Sequence, residues 1–245
     1  MSVPTSPRPI VIAQHVLKSY RRGKETVRAL AGVSFSLAAG EFVMLRGESG
    51  SGKSTLLNLC GCLDAPGGGH LELFGTNVAD INESESTALR RDRIGFIFQN
   101  FHLIPVLTAV ENVEYAFNLR GQKGGRAAAL AMLDEVGMAK QAYAKVTTLS
   151  GGQMQRVAIA RALVTSPSLV LADEPTANLD SRNTEAVMRL LSNLTHSRGV
   201  GVLLVTHDIS LSRWADRVIE LSDGLIRLDI SGGRTQSLAE TSSNT

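Results

Sequence analysis

Long apolar runs are missing from this 245-residue chain. The best apolar window, Val200 to Val205, suits a buried strand and falls far short of the ~18 residues that a membrane helix needs. The chain is therefore not expected to span a bilayer itself. Cysteine is almost absent. Cys60 and Cys62 are the two present, too few for a disulfide framework or a closed zinc site, and both are expected in one helix as small buried hydrophobes. Charge of one sign is scarce too: the formal net charge is +2, which gives none of the long-range field of a nucleic-acid binder. The short basic runs Lys18-Arg21-Arg22-Lys24 and Arg90-Arg91-Arg93 read as solvated faces, and no nucleic-acid partner is expected. Residues 1–9 carry three prolines and no apolar core of a secretory signal, so a cytoplasmic location is expected.

What is present is an ordinary globular composition, 43% hydrophobic and 20% charged, which excludes wholesale disorder and leaves ample length for one large α/β unit. Strands are expected at Ile10 to Leu17, Val33 to Leu37, Phe42 to Arg46, Leu71 to Phe74 and Ile94 to Phe98, with helices at Thr55 to Leu63 and Glu83 to Arg91. From Thr108 to Gly152 the pattern turns helical, with Thr108 capping Ala109 to Leu119 and Gly137 closing Arg126 to Val136. Helix and buried apolar strand then alternate: Gln153 to Leu163, Leu169 to Ala172, Arg182 to His196, Val200 to Thr206. A short helix and strands near Val218 to Leu221 and Leu225 to Leu228 follow. Such alternation predicts a mainly parallel sheet covered on both faces.

Three stretches carry chemistry. Gly47-Glu48-Ser49-Gly50-Ser51-Gly52-Lys53-Ser54 has the phosphate-loop spacing and stands between a strand and a helix that opens near Thr55. Backbone N–H groups would wrap phosphates, Lys53 would neutralise the β- and γ-phosphates, and the Ser54 hydroxyl would ligate Mg²⁺. By composition alone, its four fixed positions match by accident in about one such chain in a hundred. Leu169 to Ala172 is an apolar strand ending in Asp173-Glu174, which delivers two acids to the carboxyl edge of the sheet. Asp173 is placed for the Mg²⁺ shell and Glu174 for polarising an attacking water. The run Leu149-Ser150-Gly151-Gly152-Gln153 arises by chance on the order of once in several thousand chains. It offers a second anion nest at a helix start, and one nucleotide cannot comfortably fill both nests of one chain, so two chains facing head to tail are expected.

With these motifs in this order, the chain resembles the nucleotide-binding subunit of ATP-binding cassette (ABC) transporters from about Ile10 to Leu228. The resemblance implies an ABC-type ATPase fold: a RecA-like, mainly parallel sheet core, a small antiparallel β subdomain and a helical signature subdomain at about 100–163. The cassette would occupy 10–230, between a disordered N-terminus at 1–9 and a flexible tail at 231–245. It implies ATP and Mg²⁺ as ligands and a homodimer in which the Leu149 to Gln153 signature of one copy closes over the γ-phosphate held by the other. It assigns Gln99 to sensing Mg²⁺ and the membrane partner, Asn178-Leu179-Asp180 to the loop crossing the dimer interface, His207 to the γ-phosphate and the water, and Tyr20 to stacking on adenine. Lys53, Glu174 and His207 would be the catalytic groups, with Ser54, Gln99 and Asp173 around the metal and Thr55 completing the nucleotide loop.

The stretches Ile94 to Gln99, Leu103-Ile104-Pro105, Thr108-Ala109, Glu111-Asn112-Val113 and Gly61-Cys62-Leu63-Asp64 are similar to ATPases of the LolD/MacB branch. That branch implies an integral permease subunit and a place on the cytoplasmic face of the bacterial inner membrane. Two features depart from the pattern: Met154 stands where Gln or Arg is usual, and Val146-Thr147-Thr148 lacks a common proline. An FtsE-like regulatory ATPase that gates a periplasmic process without transport and a solute-importer ATPase are the alternatives. DNA-repair or translation ATPases resemble tandem cassettes or carry coiled-coil or zinc insertions, which this sequence does not show.

Overall fold

A computed structural model describes residues 9–23 and 25–232; residues 1–8 of the expected disordered start and the expected tail beyond residue 232 lie outside the described residues, while Pro9 and Ser231, expected in those ends, belong to strands. Two sheets organise the chain. The larger has the order β10-β9-β3-β8-β7-β6, built from β3 (Phe42–Arg46), β6 (Ile94–Phe98), β7 (Leu169–Asp173), β8 (Gly201–Val205), β9 (Arg217–Ser222) and β10 (Leu225–Ser231). Its pairings are parallel from β9 through β3, β8 and β7 to β6, and only β10 runs antiparallel. Strands of this kind are buried on both faces, and their side chains alternate between two cores. Phe42 and Met44 of β3 join Val202 and Leu204 of β8 in one core, which also holds Val110, Leu133 and Ile159. Val43 and Leu45, with Leu203 and Val205, face the other beside Leu30, Leu56 and Leu71.

The smaller sheet, β2-β1-β4-β5, is antiparallel. It begins with a long hairpin of β1 (Pro9–Arg22) and β2 (Glu25–Ala38), then takes in β4 (Gly68–Leu73) and the two-residue β5 (Thr76–Asn77). Here the sequence expectation is corrected: the strands expected at 10–17 and 33–37 are the halves of two 14-residue strands. Register shifts at four places in the hairpin break the two-residue alternation, and the first four residues of β2 are exposed, so no periodic signal marks them.

Among the described residues, six α-helices cover the sheets. α1 (Lys53–Cys60) follows β3, α2 (Glu83–Arg93) precedes β6, and α3 (Ala109–Asn118), α4 (Gly125–Glu135) and α5 (Gly151–Leu163) form the helical lobe ahead of α6 (Ser181–Arg198). The Thr108 cap is present as a capping box with Glu111. α5 passes so near β6 that a Cβ on Gly95 would lie 2.5 Å from the Ala162 carbonyl oxygen. The expectation that Cys60 and Cys62 share a helix is wrong. Gly61 caps α1, and Cys62 beyond it takes a left-handed φ of 51°. Both thiols are nevertheless buried, and burial pushes the Cys60 thiol up to about 12, so they behave as small hydrophobes. Among the described residues no helix is long and apolar enough to cross a membrane.

Candidate active site

The parallel strands β3, β7 and β8 end side by side, and the residues just past their carboxyl ends line one cavity of about 560 Å³. After β3 the chain turns through Gly47 (φ 153°) and Gly52 (φ 106°). Side chains cannot replace either hydrogen: a Cβ would sit 2.1 Å from the Leu221 carbonyl oxygen at Gly47 and 2.4 Å from that of Ala29 at Gly52. Gly52 caps α1 with no side-chain acceptor, so the first-turn N–H groups of that helix are left for an outside acceptor, at its electropositive end. Ser49, Gly50, Gly52, Lys53, Ser54 and Thr55 line the cavity. Gly47, Glu48 and Ser51 belong to the loop without lining the cavity.

Lys53 folds over this loop. Its Nζ donates to the carbonyl oxygens of Gly47 (2.8 Å) and Glu48 (2.7 Å), and its side chain is buried. Burial lowers its pKa below the ordinary lysine value, with Glu174 and Asp173 pulling it back up. Opposite lies the acidic pair. Asp173 closes β7, and burial followed by the neighbouring Glu174 raises its carboxyl above the usual carboxylate range, against the pull of Lys53. Glu174 leaves the strand with φ 45°, while its N–H still bonds the Val205 carbonyl at 2.9 Å. A left-handed glutamate is strained, and here the strain turns the side chain towards the end of β8. There Oε2 accepts from the Thr206 hydroxyl (3.1 Å), and Oε1 accepts from the His207 N–H (3.1 Å) and lies 2.7 Å from His207 Nδ1. A carboxylate only accepts, so Nδ1 carries the shared proton. The His207 ring is otherwise 72% exposed and can follow a ligand.

Two carboxylates beside one desolvated lysine form an arrangement with an excess of negative charge. The sign of its effect on stability follows from Asp173. A carboxyl whose pKa is raised by folding stabilises most below its unfolded value, and that contribution is lost as pH rises through the folded value. Asp173→Asn should therefore raise the melting temperature of nucleotide-free protein at pH 7, by roughly 2–4 °C for each kcal/mol relieved, with the gain fading towards pH 4. Equal melting temperatures at pH 7 would contradict it.

The remaining expected residues gather elsewhere. None of Tyr20, Gln99, Leu149 to Gln153 or Asn178 to Asp180 lines the cavity. Ser150 is the N-cap of α5: its Oγ accepts from the Gln153 N–H (3.4 Å), and the Gln153 Oε1 accepts from the Ser150 N–H (2.9 Å). The helix expected from Gln153 thus starts two residues earlier, and Gly151 and Gly152 supply first-turn N–H groups rather than a separate nest. Gly151 packs beside Leu179 and Asn178. Asn178 Nδ2 donates to the Gln99 carbonyl (3.1 Å), and Asp180 caps α6 through the Asn183 N–H (2.8 Å). So the signature, the Gln99 strand end and the 178–180 loop form a second cluster of their own. Leu179 also shares with Glu174 and His207 a groove of about 650 Å³. Met154, the departure from the expected pattern, packs half-buried on the core that holds Val110 and Leu133.

Sequence reasoning missed Val27, Ala29 and Val205, which complete the cavity wall, and Thr206, which holds Glu174. Val27 and Ala29 lie on the part of β2 that carried no strand signal. Thr206 was legible only as a strand end.

The family model for ABC transporters matches residues 30–177. The chain belongs to the ABC transporter family. An ABC transporter ATP-binding protein of Methanocaldococcus jannaschii, MJ0796, is 46% identical over 217 residues, covering 86% of this chain and 92% of that protein. A solved dimeric structure of the MJ0796 cassette superposes with a TM-score of 0.83 at 43% identity, covering 90% of this chain and 98% of that one. A second, described as a post-hydrolysis dimer bound to ADP and Pi, gives 0.82 at the same identity and coverage. The macrolide export ATP-binding/permease protein MacB of Syntrophobacter fumaroxidans is 45% identical over 221 residues. Those residues are 89% of this ABC chain and 31% of MacB, so the chain spans about a third of that relative.

Proposed function

We propose that this ABC cassette binds and hydrolyses ATP as a dimer and drives an integral membrane partner of the LolD/MacB type. The observation that carries the reading is the meeting, in one cavity, of a helix N-terminus with free amides, Lys53, Ser54, the Asp173–Glu174 pair and His207. Amides and Lys53 neutralise a triphosphate, and Lys53 exchanges its two loop carbonyls for phosphate oxygens. Glu174, held by Thr206 and His207, accepts a proton from water, and His207 reaches towards the γ-phosphate.

The donor set suits Mg²⁺. Ser54 and Asp173 are hard oxygen donors lining the same cavity, and the raised carboxyl of Asp173 marks a site that a cation relieves. Among the described residues no three His, Cys, Asp or Glu cluster as a metal cage; Mg²⁺ typically takes one or two protein oxygens plus phosphates and waters. Bound there, the ion supplies charge neutralisation to the transferring phosphoryl group. Gln99, exposed just past β6 and outside the cavity lining, would join the metal shell from that strand end. Leu149 to Gln153 acts on the nucleotide of the other copy, with Asn178 to Asp180 between the two.

Phosphate release by purified protein tests the hydrolytic part: turnover with Mg²⁺ should fall about a hundredfold or more when EDTA is added. Turnover indifferent to EDTA would remove the metal from the reading. Purification from solubilised membranes tests the partner. A co-purifying permease with a large periplasmic domain supports the branch, whereas a many-helix permease with a solute-binding protein points to an importer. A partner that gates a periplasmic enzyme would make this a regulatory cassette on the peripheral cytoplasmic face.

A further inference from the structure

Tyr20 is not a free aromatic on a strand end. It lies on β1 opposite Val27, a wall residue of the phosphate cavity, and the residue is 38% exposed. The phenol is tied across 44 residues of sequence: its hydroxyl donates to Asp64 Oδ2 at 2.8 Å. Asp64 is itself fixed on its other oxygen. Oδ1 accepts from Lys18 Nζ at 2.5 Å and from the Ala65 N–H at 2.8 Å, and Lys18 Nζ also donates to the Ala65 carbonyl at 2.7 Å. Lys18 lies 5.1 Å from the Tyr20 ring centroid, a cation–π contact. The ring is therefore held by its hydroxyl and attended by an ammonium, while the residue stays partly exposed on a strand paired with the one that supplies Val27 to the cavity wall.

We infer that Asp64 is a positioning residue for the nucleobase: it fixes the Tyr20 ring, through the phenol, in the orientation in which a purine stacks on it. The inference rests on the ATP-binding reading above. Its physical basis is preorganisation. An exposed tyrosine at a strand end must give up rotamer freedom to stack on a base, at a cost on binding that a hydrogen-bonded ring has already met on folding. Asp64 suits the role because it sits on the turn just beyond α1, so the tether joins the Tyr20 ring to the end of the phosphate-binding helix. Its carboxylate, charge-compensated by Lys18, is a stronger acceptor for a phenol than a neutral group.

Five proteins test this: wild type, Tyr20→Phe, Asp64→Ala, Asp64→Asn and the Tyr20→Phe/Asp64→Ala double variant, each measured for KM and kcat with ATP and for inhibition by inorganic tripolyphosphate, which has no base. Tyr20→Phe keeps the ring and the Asp64–Lys18 contact and removes only the tether. It should raise the KM for ATP about three- to tenfold, with kcat changed less than about twofold and tripolyphosphate inhibition unaltered. Asp64→Ala should do the same, and Asp64→Asn, which retains an acceptor, should recover most of the loss. Combining Tyr20→Phe with Asp64→Ala should add little to either alone, since both cut one link. The inference is overturned if Tyr20→Phe has the wild-type KM, or if the variants weaken tripolyphosphate as much as ATP, which would make Asp64 a structural support of the whole loop. A wild-type protein that binds tripolyphosphate and ATP equally would also overturn it. Failure of wild type to bind either would instead sink the ATP reading.

Discussion

Glu174→Gln lowers kcat for ATP by about 10²–10⁴-fold, the range that a positioned general base contributes, and leaves ATP binding intact or tighter. The substitution keeps the volume of the side chain; its amide oxygen, in the place of Oε1, still accepts from His207, while the amide N–H2, in the place of Oε2, donates to the Thr206 hydroxyl oxygen. What it removes is the basicity and one of two adjacent negative charges. Losing that charge lets the Asp173 carboxyl fall back towards its ordinary range, because Glu174 is the second cause of its elevation after burial. The cavity then repels a triphosphate less, so bound ATP persists uncleaved and ATP-bound dimers accumulate. Size-exclusion chromatography with ATP, beside single-turnover phosphate release, reads both effects. Turnover within about tenfold of wild type would show that water is activated by some other group and that Glu174 serves only to anchor His207.

The parts of the fold that the sequence reveals are those where local pattern and tertiary environment agree. β3 and β6 have the bounds that their apolar runs suggest, because a central parallel strand is buried on both faces and needs no alternation. Gly47 to Ser54 is legible because each glycine answers to a backbone constraint, as the contacts at Gly47 and Gly52 demonstrate. The 9–38 hairpin is not, since its bulges scramble the two-residue period and the first four residues of β2 are exposed. Glu174 was legible as an acid at a strand end, but its left-handed turn and its bond to Thr206 depend on β8 being adjacent, 32 residues away. Asp64 shows the same limit: nothing between Leu63 and Pro66 announces a tether to a tyrosine 44 residues earlier. Local chemistry survives in sequence, whereas the partners that orient it come from topology.

Ser150 separates the two roles available to the signature run. As a helix cap it is worth about 1 kcal/mol to α5, and aspartate caps as well as serine. As a contact to the triphosphate of a second copy it faces an anion, and a carboxylate there is repulsive. Ser150→Asp should therefore leave the melting temperature unchanged or slightly higher, because an acid at a helix start also suits the helix dipole. ATP binding by isolated chains should stay as in wild type, since Ser150 is not part of the phosphate cavity of its own chain. Turnover should nevertheless fall on the order of 10²–10³-fold, the loss seen when a donor to a developing anion is removed, and ATP should no longer drive dimers. In wild type the specific activity should climb with protein concentration until dimers saturate, because two copies assemble each site. A Ser150→Asp protein that turns over at the wild-type rate would reduce the signature to a cap. Wild-type activity per chain that stays constant down to strictly monomeric dilution would remove the second copy from the chemistry, leaving Lys53, Asp173, Glu174 and His207 of one chain to act unaided.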